Sequence, residues 1–209
     1  PDVAESLAQL GVAYLETKKN KKAIITFREA LKIRRHCLGP NHPKVSKILN
    51  NIGCALYEIN ELEVAKVAFE EALEVQRETL KGLSEDSEEN WSKHLLSIAS
   101  TLSNIGSIKL YWGHFDDATV DLEEALLIQQ SVLGDGNPVS QRTQESLEFI
   151  QAAREQGSRN TSARTKNLLS SLTAGLVGKD KDEEDMLGCG PTSPNAILAR
   201  RKGASMLET

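Results

Sequence analysis

Near the start of the chain Leu7, Leu10 and Tyr14, and then Ala23, Phe27, Ala30 and Leu31, follow the i, i+3, i+4, i+7 spacing of amphipathic helices. The pattern predicts two antiparallel helices, helix A near Val3–Thr17 and helix B near Lys21–Cys37. The same pattern then recurs. At an offset of 42 residues Gly11 pairs with Gly53, Ala23 with Ala65, Phe27 with Phe69, Ala30 with Ala72 and Leu38 with Leu80. A further offset of 53 places Gly106 over Gly53, Ala118 over Ala65, Leu122 over Phe69 and Ala125 over Ala72. Chance does not give so many coincidences of small and apolar residues.

The small residues carry a steric expectation. Gly11, Gly53 and Gly106 let a neighbouring helix approach closely, and Ala23, Ala65 and Ala118 sit where helix B crosses helix A. A helical Gly costs up to ~1 kcal/mol relative to Ala, so its recurrence implies that packing recovers the loss. Between copies, "LGPNHP" and "LGDGNP" end one helix and begin another. Gly39 and Gly134 suit a left-handed C-terminal cap, and Pro43 and Pro138 suit the first helical turn. The junction after the second copy, "LKGLSEDSEEN", is acidic and lacks the Pro, so it reads as a longer loop or an extra helical turn.

The set small/Leu–Gly, Tyr, Ala, Phe, Ala-Leu and "LGPNHPKV" resembles the tetratricopeptide repeat, in the 42-residue variety of kinesin light chains. The resemblance implies an all-α fold: a right-handed superhelical solenoid of antiparallel helix pairs, with three units and a C-terminal capping helix. It spans residues 1–156, with repeats at about 1–42, 43–90 and 91–137 and the cap at 138–156. Departures are Leu56 and Lys109 in place of a Tyr, and Lys18–Asn20 in place of a Gly-x-aromatic turn that Gly113–Phe115 restores. Within the cap, Leu147, Ile150 and Ala153 are expected to face inward. Pro1-Asp2-Val3 matches the middle of a repeat junction, so either a further repeat precedes it or the chain begins at a repeat boundary. From 157 to 209, Ser, Thr, Gly, Asn and mixed charge predict a largely disordered tail.

Charge sharpens this outline. The net charge of −5 argues against a dedicated nucleic-acid binder. It divides into +6 over residues 1–50, −13 over 51–156 and +2 over the remainder. Such polarity orients a charged partner, an acidic end over the first copy and a basic end over the next two; solvated helix faces produce it equally well. No run approaches the length of a membrane span. Three scattered cysteines and no signal peptide point to a reducing, cytoplasmic compartment without a disulfide framework.

Catalytic and metal chemistry find no support in the motifs. His36, Cys37, His42, His94 and His114 make no ligand spacing, so neither a metal nor a cofactor is expected. "GLVGKD" at 175–180 lacks the spacing and the Ser/Thr of a phosphate loop. Glu70-Glu71 recurs as Glu123-Glu124, which marks a solvated face and not a catalytic dyad. An enzyme is therefore not expected.

What the resemblance implies instead is a non-catalytic scaffold or adaptor that binds a protein or peptide segment along helix A. Its groove positions fall on Glu5, Ala8, Gln9, Val12 and Glu16 in copy one, on Lys47, Asn50, Asn51, Cys54 and Glu58 in copy two, and on Ser100, Ser103, Asn104, Ser107 and Tyr111 in copy three. Gln9, Asn51 and Asn104 share one register position, and side-chain amides there offer an acceptor and two donor hydrogens to a peptide backbone. The competing reading has these amides bridging adjacent helices. Cys54, aligned with Val12 and Ser107, reads as a small lining residue rather than a reactive thiol. The carboxylate clamp of some family members needs Lys and Asn where Ala8 and Val12 stand, and Lys and Arg at Ser100 and Asn104. Only Asn51 agrees, so a terminal Glu-Glu-Val-Asp tail is not an expected ligand. The alternative function is a structural subunit held by its convex face or tail.

Overall fold

The computed structural model describes residues 2–82 and 88–157. Among them seven helices follow in order: α1 Asp2–Glu16, α2 Asn20–Leu38, α3 Pro43–Glu58, α4 Leu62–Lys81, α5 Glu88–Trp112, α6 Phe115–Leu133 and α7 Pro138–Gly157. No strand occurs among the described residues. The described chain forms two compact units that divide within α5, the first ending at Ile105 and the second starting at Gly106. Expectations placed on the tail beyond Gly157 lie outside the described residues.

Short turns make α1/α2, α3/α4 and α5/α6 into helix hairpins. All three turns use one device. Within two residues of the helix end one residue takes positive φ: Lys18 at 56°, Asn60 at 65° and Gly113 at 79°. Its N–H and the next one then turn back to carbonyls of the last helical turn. Lys18 N donates to Leu15 O at 2.9 Å and Lys19 N to Tyr14 O at 2.8 Å. The same pair of bonds recurs at Asn60/Glu61 and at Gly113/His114, satisfying carbonyls that the helix leaves unpaired. The turn thus survives the replacement of Gly by Lys18 in the first hairpin, with Lys held in a left-handed conformation.

The junctions between hairpins follow the residues closely. Pro43 opens α3, and His42 Nδ1 before it accepts from Lys44 N at 3.1 Å. Asn137 Oδ1 accepts from Val139 N at 2.8 Å ahead of α7. Gly39 and Gly134 do take positive φ, but with ψ of 162° and 163° they are extended and not in the left-handed helical cap expected of them. The chain has to leave the helix and set up the Pro-led one, and this backbone region is open essentially only to Gly. The acidic junction resolves towards extra helix. In register with Pro43, α5 would begin at Leu96, yet it begins at Glu88, about two turns earlier.

Packing inside each hairpin turns on the expected glycines. A Cβ placed on Gly53 would lie 2.5 Å from Phe69 Cε1, and one on Gly106 would lie 2.8 Å from Leu122 Cγ. Gly11 meets Phe27 in the same way. Phe27 and Phe69 are completely buried, as are Ala23, Ala65 and Ala118. Full burial of such a ring contributes about 1.5–3 kcal/mol, which exceeds the helix propensity that the Gly gives up. In the second unit α7 packs on α6, with Ile150 joining Leu110, Ala118 and Leu122 in one buried cluster flanked by Leu147 and Phe149.

Polar anchors set how successive hairpins of the first unit meet. Arg34, 5% exposed, donates to Lys44 O at 3.0 Å and to Glu5 Oε2 at 2.7 Å, tying α2 to both α3 and α1. Gln76 holds the same register position on α4 and donates to Ser97 Oγ of α5 at 2.8 Å. Both side chains are buried, so losing either partner leaves a desolvated polar group behind.

Candidate functional site

The A-type helices α1 and α3 and the leading part of α5 supply the sequence-predicted face of the first unit. Along α1 the face is open: Gln9 and Glu16 are exposed and Val12 is partly so. Along α3 it differs. Lys47 remains exposed and Glu58 is partly exposed, but Asn50, Asn51 and Cys54 are buried, at 9%, 4% and 4% exposure. On α5 Asn104 is buried as well, at 4%.

The amides divide by what they do. Asn50 Oδ1 accepts from Thr101 Oγ1 at 3.3 Å, a bridge from α3 to α5. That one residue takes the helix-bridging role. Asn104 does not: its Nδ2 is enclosed and has no hydrogen-bond partner among the described residues. Two donor hydrogens with no acceptor cost about 1–3 kcal/mol when held away from water. Charge borders the face. Glu58 pairs with Lys18 at 3.3 Å, and Glu5 with Arg34 and, at 3.7 Å, with Lys44.

In the second unit Ser107 is buried and Tyr111 is partly exposed. Beside them lies a pair that the sequence pattern passed over. Lys109 Nζ sits 2.7 Å from Asp121 Oδ2, with the two side chains 20% and 15% exposed. Burial pushes the Asp121 carboxyl above its ordinary value, against the hydrogen bond and charge of Lys109. The signal for it was Lys109 itself, a cation where the other copies carry Tyr14 and Leu56. Its partner could not be picked out, because Asp121 lies on a different helix among many acids.

Among the described residues no group of three His, Cys, Asp or Glu side chains converges as a metal site would require. Cys37 is an exposed free thiol, and Cys54 is buried. No helix among the described residues is long and apolar enough to cross a membrane.

Two family models match the chain, both described as tetratricopeptide repeat, one over residues 2–78 and the other over 98–139. No curated protein matches. Among solved structures, BtubC (BKLC) from P. vanneervenii is similar at 23% identity and a TM-score of 0.59, over 88% of this chain and 69% of that one. The putative kinesin light chain nearly identical TPR-like repeats of Podosopora anserina are similar at 16% identity and a TM-score of 0.58, over 97% and 87%. The Sgt2 TPR domain of Aspergillus fumigatus is similar at 18% identity and a TM-score of 0.51, over 88% and 91%.

Proposed function

The chain belongs to the tetratricopeptide-repeat family, a family of protein–protein interaction scaffolds, and from that premise we propose that its A-helix face binds an extended peptide segment. The observation that carries this reading is the row of polar side chains that α1 and α3 keep at the surface of that face, Gln9, Glu16 and Lys47, with Glu58 partly exposed. An extended peptide offers a backbone carbonyl and an N–H at every residue, partners for polar side chains of this kind. Asn51 and Asn104, at one register position and each 4% exposed, lie beneath that surface. Main-chain recognition of this kind accepts many side-chain sequences, so charge sets the preference. The acidic end of the ligand lies towards the basic first repeat and its basic end towards the acidic repeats. The role is non-catalytic and needs no cofactor.

The test uses fluorescein-labelled synthetic peptides with one acidic and one basic half, read by polarisation against the whole chain and its Gln9→Ala and Lys47→Ala variants. Each lost hydrogen bond of about 0.5–1.5 kcal/mol weakens binding by roughly two- to twelvefold. Unchanged urea midpoints show that the variants remain folded. Peptides that bind wild type and both variants equally would remove the A-helix face from the reading.

A further inference from the structure

The outward faces of the two B-type helices of the first unit share one register and differ in sign. On α2, Lys21, Ile25, Arg28 and Lys32 follow helical spacing and are all exposed. At the offset of 42 residues α4 carries Glu63, Val67, Glu70 and Glu74, also all exposed. Each cation of α2 therefore has an acid at its own position on α4. The centre of each row is a β-branched apolar residue left in water, Ile25 at 61% and Val67 at 62% exposure. Val64 widens the apolar centre of α4 at 46%.

Neighbours within the chain leave most of these charges unengaged. Among the described residues the side chains of Lys21, Arg28, Lys32, Glu63 and Glu74 make no ion pair or hydrogen bond. Glu70 has a local contact with Lys66 at 2.5 Å, one turn away on its own helix. Arg35 and Glu71 pair with each other across α2 and α4, at the flank of the two rows. Glu29, beside Arg28, is the single acid on the basic face.

We propose that this α2/α4 face is a self-association surface and that its partner is the same face of a second copy of the chain. A two-fold axis between α2 and α4, parallel to them, sets α2 of one copy over α4 of the other, and the reverse. Because the two helices are equivalent in register, the rotation brings Lys21 opposite Glu63, Ile25 opposite Val67, Arg28 opposite Glu70 and Lys32 opposite Glu74. Every contact occurs twice, as an isologous interface requires. The row of charges extends about 16 Å along each helix, with the apolar pair at its centre. The equivalent face of α6 is a poorer match. Leu127 replaces the third acid there, and Asp116 already holds Arg154 at 2.6 Å.

Sedimentation velocity of the 209-residue chain tests the proposal with a charge exchange. Wild type should dimerise at high micromolar concentration in low salt and dissociate in 1 M salt, where the screening length falls to about 3 Å. One variant combines Lys21→Glu, Arg28→Glu and Lys32→Glu; the other combines Glu63→Lys, Glu70→Lys and Glu74→Lys. Each alone presents like charges to itself and should dimerise at least about tenfold more weakly than wild type. Mixed together they restore opposite charge at every position, and a heterodimer should form. All six positions are exposed, and helicity by circular dichroism confirms that both variants fold. A monomeric wild type, a dimer indifferent to either variant, or a mixture that stays monomeric would each overturn the proposal.

Discussion

Replacing Gly53 by Ala is expected to destabilise the protein, although helix propensity alone predicts the opposite. In an exposed helix the change would gain about 1 kcal/mol. Here the new methyl would stand 2.5, 2.7 and 2.8 Å from Cε1, Cδ1 and Cζ of Phe69. Carbon pairs are at their optimum at about 3.5–4.0 Å, so the ring or the helix has to move by about an ångström. Phe69 has nowhere to move, since it is wholly buried and Ala65 and Ala72 on its own helix are too. Overpacking of this severity costs about 2–3 kcal/mol, which leaves a net loss of about 1–2 kcal/mol. Urea unfolding followed by helicity measures it as a lower midpoint, with the slope reporting whether the transition stays cooperative. Phe69→Leu provides a second arm. The smaller side chain should make Gly53→Ala less costly than it is beside Phe, giving a coupling energy of about 1 kcal/mol in a double-mutant cycle. A neutral or stabilising Gly53→Ala, or additivity with Phe69→Leu, would refute the steric argument.

Two further outcomes follow from local geometry. Lys18→Gly should raise stability by about 0.5–1 kcal/mol, because a non-Gly residue at φ 56° is strained, and its exposed pairing with Glu58 is worth little; a lower urea midpoint would contradict this. At the Lys109–Asp121 pair the two single substitutions should differ. The folded-state pKa of Asp121 is raised, so its contribution to stability is fully present below the unfolded value of 3.8 and is lost as pH rises through the folded value. Asp121→Asn, which keeps an acceptor and avoids the buried charge, should therefore be neutral or stabilising at pH 7, with its advantage over wild type growing as pH rises from about 4. Lys109→Met leaves that largely buried carboxylate without its cation and should lose about 1–3 kcal/mol. Unfolding free energies across that pH range check both, and an Asn variant that loses ground as pH rises would contradict the assignment.

The sequence alone determined the helix hairpins and their register, because both follow from local periodicity and from residue types with steric meaning. Gly11, Gly53 and Gly106 recur in register as places where a neighbouring helix comes close, and the fold supplies the partner, Phe27, Phe69 or Leu122 sixteen positions on. Pro43 and the Asn-His step before it marked a helix start for the same reason, a fixed φ and a missing N–H. Tertiary structure decided what depends on the far side of the chain. Asn50 and Asn104 are the same residue type on the predicted face, yet one reaches Thr101 across to the next A helix and the other encloses an unpaired donor. Nothing local separates them, because burial and partner are set by residues half a domain away. Lys109 looked like a lapse from the repeat until Asp121 was seen beside it. The charge exchange between α2 and α4 was present in the residues from the start. Only the fold turned it into two adjacent exposed rows, since a helix exposes the positions that packing leaves over, and which positions those are is settled by the neighbours.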